Sequence, residues 1–190
     1  MEAAGDAKRY GCNKLLEPLS DGRPMICNVM DIALSLDVNK RVLVTQYEEI
    51  AEMTAGDFEV AVNNHPELGI SRSMQLGIEA AGDVDAYMFC VCDQPHLTTS
   101  TVEKLINAYL EASETSDAVI ASLSWQGHMS NPKIFSSIYR DELMALSGDA
   151  GGRQIIRNHT DNLILVESDS ENEVRDIDTP SDSASLLSVE

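Results

Sequence analysis

The sequence is short of cations. Its 190 residues carry 13 Lys plus Arg against 32 Asp plus Glu, a formal net charge of −19 at pH 7. Nucleic acid needs a basic footprint to displace its counterions, and an anionic membrane surface needs clustered Lys and Arg. Neither partner is expected, and the acidity reads as a device for solubility. Cysteine is scarce as well. Cys12, Cys27, Cys90 and Cys92 form no C-x-x-C pair and no His-rich tract accompanies them, which argues against zinc. Cys90 and Cys92 lie two apart in an apolar run, so both point to one face of a strand. Buried reduced thiols follow, with a reducing, cytoplasmic compartment as the expectation. Long hydrophobic runs are missing. The longest, Ala86 to Cys92, has seven residues, where a bilayer span needs about 20. No signal-peptide pattern opens the chain. Internal repeats, linkers and low-complexity segments are absent too. With 43% hydrophobic and 24% charged residues, the expectation is one globular domain over residues 1–190.

What is present alternates. RVLVT (41–45), FEVAV (58–62), AYMFCVC (86–92), DAVIASL (117–123), NLILVE (162–167) and EVRDID (173–178) read as strands. PMICNVMDIALSL (24–36), SRSMQLGIEAA (71–81), TVEKLINAYLEA (101–112), IYRDELMALS (138–147) and GGRQIIRNH (151–159) carry apolar residues at helical spacing. Ser100 and Glu103 fit a capping box, and a short helix is expected over 180–189. Strands alternating with helices predict an α/β sandwich with a mostly parallel sheet. AYMFCVC, apolar throughout, is expected at its centre, covered on both faces. Ligands of such sheets bind at the carboxyl ends of the strands.

Five stretches could carry chemistry there. MEAAGDAKRYGCNKLL (1–16) sets Lys8, Arg9 and Lys14 among Gly5 and Gly11. Glycines let a backbone approach an anion, and the cations add charge. The stretch is neither a Walker A loop nor G-x-G-x-x-G, so a phosphate loop and a plain solvated loop both stay open. In CVCDQPHLT (90–98), Asp93 ends the most buried strand and Pro95 stops the ladder. Asp93 is read as a Mg²⁺ ligand or as a partner of the following helix. In VRDIDTPSD (174–182), Asp176 and Asp178 share a face. Either could complete a metal site with Asp93, or Asp178-Thr179-Pro180 simply starts a helix. In NHPELGISRSMQLGI (64–78), a Gly-Ile-Ser-Arg-Ser turn opens a helix whose first N–H groups would seat an anion, unless Ser71 merely caps it. In SGDAGGR (147–153), Arg153 opposes the dipole of the helix it opens, which hints at an anion to meet.

Together these stretches resemble the molybdenum-cofactor-type nucleotidyltransferases. The resemblance rests on AAGDAKRYGCNKLL at the start and Asp93-Gln94-Pro95 after a strand. It rests equally on Gly69-Ile70-Ser71-Arg72-Ser73, on the Gly148–Arg153 segment and on the terminal Asp176-Ile177-Asp178-Thr179-Pro180. It runs from residue 3 to about residue 182 with the motifs in family order.

The resemblance implies a Rossmann-like, three-layer nucleotidyltransferase fold. It implies attack of a molybdopterin phosphate on the α-phosphate of a nucleoside triphosphate, with release of pyrophosphate. The Ala3-Ala4-Gly5 form resembles the cytidylyltransferase branch, so CTP is the expected donor, and a molybdenum hydroxylase the expected client. By resemblance, Ala3, Ala4, Gly5, Arg9, Gly11, Lys14 and Ser71 would bind the nucleotide. Arg9, Lys14 and Asp93 would be catalytic. Asp93 with Asp178 would hold Mg²⁺, and Arg72, Ser73, Asn131 and Arg153 would contact the acceptor. Another small phosphorylated acceptor, or a carrier that binds molybdopterin without turnover, are the alternatives. Family members have an apolar strand before the Ala-Ala-Gly, whereas only Met1 and Glu2 precede Ala3 here. The first strand is therefore expected to be truncated, in the middle of the sheet, with the true start upstream. Asp6, Lys8, Tyr10, Cys92 and Ser130 also depart from the family pattern, which bears on the substrate more than on the reaction class.

Overall fold

The computed structural model of the protein describes residues 1–3 and 13–177. The expected helix over 180–189 lies outside them, as do Ala4, Gly5, Arg9, Gly11 and Asp178.

Two sheets form among the described residues. In the first, β1 (Glu2–Ala3), β2 (Val42–Thr45) and β3 (Glu59–Val62) pair in that order, all parallel. In the second the order is β4 (Ala86–Phe89), β6 (His128–Ser136), β5 (Ile120–Trp125) and β7 (Leu163–Glu167). There β6 runs antiparallel to both neighbours, while β5 and β7 are parallel. The helices are α1 (Ile26–Ser35), α2 (Glu48–Thr54), α3 (Ile70–Ala81), α4 (Thr99–Ser113), α5 (Arg140–Met144) and α6 (Arg153–Asn158).

Each helix buries one stripe. In α1 the buried residues are Ile26, Val29, Met30 and Ile32, and in α4 Thr101, Val102, Leu105 and Tyr109. This is the three-to-four spacing of one helical face. The second sheet separates two cores. Ala121 and Ile134 join Leu36, Val102, Leu105 and Tyr109 on one face. Their neighbours along the strands, Ile120 and Phe135, join Met74, Ile78, Leu143 and Ile155 on the other. Alternation along a strand turns successive side chains to opposite faces, and helices cover both. The result is the expected layered, Rossmann-like α/β architecture.

Several expectations need correction. The sheet is not continuous among the described residues. There β1 pairs with β2 at Val44 and Thr45, and no β1–β4 ladder forms among them. Between β2 and β4 lies a cavity of about 330 Å³, lined among others by Leu36, Val42, Val44, Gly77, Met88 and Tyr109. The strand β6 escapes a reading by pattern because Asn131-Pro132 looks like a breaker. Here the proline sits where the β5–β6 register shifts, between Lys133 and Met129, so no regular ladder bond is sacrificed. The described part of the expected strand 173–178, residues 173–177, is not a strand. Residues 171–174 form a 3₁₀ turn, because Glu173 is drawn inward by hydrogen bonds to other elements. The cap of α4 is Thr98, whose Oγ1 accepts from the Thr101 N–H, rather than Ser100. The helix α2 was not expected. Glu48 and Glu49 in its first turn suit the helix dipole. Cys90 and Cys92 are buried as expected. No helix of the described residues is long and apolar enough to cross a membrane.

Candidate functional site

Asp93 follows β4, four residues beyond its end at Phe89. A 3₁₀ turn at Lys14–Leu16 is opened by Asn13, whose Oδ1 accepts from the Leu15 N–H at 3.2 Å. Leu15 is buried against Ile26, Leu43 and Cys92, which anchors the turn. The anchoring directs Lys14 across the site. Its ammonium donates to Asp93 Oδ2 at 2.8 Å and to the Ile177 carbonyl at 2.9 Å. Both charged side chains are about one-fifth exposed, 19% for Lys14 and 21% for Asp93. The Ile177 N–H donates to the Asp93 carbonyl at 2.9 Å, so the chain near its end lies directly on the Asp93 turn. Residues 79 and 163 positions from Lys14 thus meet at one ammonium.

Behind Asp93 lies a polar layer that spacing alone did not reveal. Gln94 is buried, and its Nε2 donates to Asp176 Oδ1 at 2.8 Å and to the Val174 carbonyl at 3.1 Å. Its Oε1 is buried with no partner. Asp176, one of the two carboxylates weighed for metal, therefore accepts from Gln94. Glu173 is buried and accepts from Thr98 Oγ1 at 2.6 Å, Thr101 Oγ1 at 2.8 Å, Ser168 Oγ at 2.6 Å and the Asp169 N–H at 3.0 Å. Burial alone would push this carboxyl up; the donors from Ser168, Thr98, Thr101 and Asp169 outweigh it and hold the group below its ordinary range. Glu173 thus clips the strap 168–177 onto the start of α4. The only sequence signal for these residues was their place beside the two Asp-containing motifs.

The remaining expected residues are less concentrated. The N-terminal residue of α3 is preceded by Gly69 rather than capped by Ser71. Gly69 has φ 82° and ψ −176°, a conformation open essentially to glycine alone. It packs on Gly148, and the Ser71 N–H donates to the Gly148 carbonyl at 3.1 Å. That N–H is therefore engaged by the Gly148 carbonyl in this structure. Ser73 is buried and its Oγ accepts from Asn63 Nδ2 at 3.1 Å. Arg72 reaches along its own helix toward Glu79, Nη1 to Oε1 3.9 Å. Arg153 is exposed at the first position of α6. Gly152 before it lies so close to Phe135 that a Cβ would stand 2.5 Å from Cζ of the ring. Asn131 is half-buried on β6 and accepts from Lys133 Nζ at 2.7 Å.

The structure therefore brings together Lys14, Asp93 and the Ile177 backbone. Arg72, half-buried, and Arg153, exposed, make no hydrogen bond to that group. Ala3 enters through its backbone, which pairs with Thr45 of β2. Among the described residues no group of three or more His, Cys, Asp or Glu could hold a metal ion. A single carboxylate such as Asp93 is the usual protein share of a Mg²⁺ site on a nucleotide, where phosphates and water complete the shell, so the donor set fits.

The model of the MobA-like NTP transferase domain matches residues 3–163. Solved structures share the fold. Rv0371c from Mycobacterium tuberculosis H37Rv is 20% identical over 99% of this chain and 95% of that one, with a TM-score of 0.80. The same protein has been solved in complex with manganese. A nucleotidyl transferase from Methanothermobacter thermautotroptrophicus is 22% identical over 98% and 93%, TM-score 0.79. Molybdopterin-guanine dinucleotide biosynthesis protein A from Archaeoglobus fulgidus is 16% identical over 98% and 94%, TM-score 0.65. No curated protein matches the chain.

Proposed function

Because the chain belongs to the MobA-like NTP transferase family, we propose that it transfers CMP from CTP to the phosphate of molybdopterin. The acceptor's phosphate oxygen forms a bond to the α-phosphorus of CTP. The bond from that phosphorus to the bridging oxygen breaks, and pyrophosphate leaves with the electron pair. The acceptor supplies the nucleophile, so the chain's own task is placement and charge neutralisation.

The observation that carries the reading is the Lys14–Asp93 contact at the carboxyl end of β4. It sets a cation and a carboxylate where an α/β sheet holds its ligands. Lys14 would leave Asp93 for the triphosphate, and Arg9 and the amides around Gly5 and Gly11 would share that load. Asp93, with Asp178, would hold Mg²⁺. When bound, the ion supplies neutralisation of charge on the phosphates. Ser71 is assigned to the nucleotide, and Arg72, Ser73, Asn131 and Arg153 to the acceptor. We assign all this to one domain over residues 1–190, cytoplasmic, serving a molybdenum hydroxylase. The cytidine choice rests on resemblance of Ala3-Ala4-Gly5 to the cytidylyltransferase branch.

The test is a thermal-shift series with CTP, GTP, ATP and UTP, each with and without Mg²⁺, followed by pyrophosphate release with molybdopterin. A ligand that binds only the native state raises its apparent stability. The expected result is a shift confined to CTP with Mg²⁺ and pyrophosphate release that needs molybdopterin. A shift with another nucleotide would reassign the donor. Pyrophosphate release only with a different phosphorylated acceptor would reassign the substrate. Molybdopterin binding without any nucleotide effect would leave a carrier.

A further inference from the structure

The strand β6 buries a lysine. Lys133 is 6% exposed and lies between Pro132 and Ile134, opposite Phe89 of β4 and Ser122 of β5. A charge removed from water is expensive unless hydrogen-bonded, and one of the partners of this ammonium is Asn131 Oδ1 at 2.7 Å. An ammonium has donors and no lone pair. The amide atom facing it must be oxygen, which settles the orientation of the Asn131 side chain. The NH₂ group then points away from Lys133.

The place of that NH₂ group is informative. Asn131 is two positions beyond the last β4–β6 pair on this side, Phe89 with Lys133, level with the turn that carries Asp93. Its neighbour Ser130 stands 3.4 Å from Gln94 Nε2 and donates to the Val174 carbonyl at 3.2 Å. The buried unpartnered side-chain atoms among the described residues are Asn13 Nδ2 and Gln94 Oε1. Asn131 Nδ2 is not one of them. It has no hydrogen-bond partner among the described residues, and solvent reaches it.

We propose that Lys133 is a positioning residue that locks the Asn131 amide with its oxygen inward and its two N–H donors toward the acceptor. Such a group recognises an acceptor-only oxygen, of a phosphate or a ring carbonyl, and rejects a donor at that point. The proposal rests on the transferase reading above and adds to it a residue from outside the recognised motifs.

The experiment compares wild type with Lys133→Met and Lys133→Arg in steady-state transfer. Methionine keeps the volume and removes the donors; arginine keeps them. Lys133→Met is expected to raise KM for molybdopterin about tenfold, the worth of roughly one hydrogen bond. KM for CTP stays unchanged, and Lys133→Arg recovers most of the loss. A Lys133→Met enzyme with wild-type KM for the acceptor overturns the proposal. So does an equal rise in both KM values, or no recovery by arginine. If the wild type transfers to no acceptor, the functional reading fails, and the side-chain amide spectrum decides the inference by itself. The Asn131 NH₂ pair, identified by its loss in Asn131→Asp, is expected to shift or broaden in Lys133→Met and return in Lys133→Arg. An unmoved pair overturns the orientation.

Discussion

Replacing Gly69 with alanine tests how the α3 entrance is built. Gly69 adopts φ 82° and ψ −176°, where a side chain costs about 1–3 kcal/mol in backbone strain. A Cβ added there would stand 2.5 Å from the Gly148 carbonyl oxygen and 2.7 Å from Asp149 Oδ1, with the Gly148 carbonyl carbon closer still. The Gly148 atoms are backbone, so they cannot swing aside as a side-chain tip does. Overpacking of this kind adds about 1–3 kcal/mol. The sum is roughly 2–6 kcal/mol, or a fall in Tm of about 5–20 °C for a chain of this size. Gly148→Ala is the control. Its φ is 64° but nothing lies within 4 Å of its Cβ, so it carries only the left-handed penalty of about 1–2 kcal/mol. Urea unfolding of both variants, monitored by circular dichroism with m-values compared, supplies the numbers. Equal losses for the two variants would refute the contact argument, and a Gly69→Ala protein within about 0.5 kcal/mol of wild type would refute both parts.

Asp93→Ala should abolish Mg²⁺-dependent pyrophosphate release while far-UV dichroism stays native. Full activity in that variant would remove Asp93 from the site. Glu173 titrates below its ordinary value, so its stabilisation is complete above the ordinary carboxylate range and is lost as pH falls through it. Glu173→Gln should therefore be less stable than wild type at neutral pH, by about 1–3 kcal/mol, with the gap narrowing as pH falls below the ordinary carboxylate range; Tm curves running parallel on acidification would contradict this. Gly77 sits inside α3 and its added Cβ would meet only Val44 Cγ2 at an ordinary 3.5 Å. Gly77→Ala should raise stability by about 0.5–1 kcal/mol, and a loss would show that the helix cannot take the methyl. An engineered extension of about five apolar β-formers before Met1, the length of a short strand, should enter the cavity between β2 and β4 and raise Tm. An unchanged or lower Tm would mean that the cavity does not accept a strand.

The sequence by itself was enough for the local, short-range decisions. Short apolar, β-rich runs located β2, β3, β5 and β7, and the three-to-four apolar spacing located α1, α3 and α4, because helix geometry imposes that period wherever one face is buried. Asp93 stood out as an acidic residue following an apolar run, and the structure sets it against Lys14. The motif order carried the family resemblance. What only the tertiary structure decided involves partners far apart in the chain. Lys14 meets Asp93 and Ile177 across 79 and 163 residues, and no periodicity encodes such a distance. Glu173 reads as one more solvated carboxylate until Thr98, Thr101 and Ser168 close around it. β6 looks broken at Pro132 until β4 and β5 flank it with a shifted register. Lys133 looks like a surface cation until it is packed between the same two strands and buried. Burial and hydrogen bonding are properties of the packed neighbourhood, and the neighbourhood exists only once the sheets and helices have been stacked.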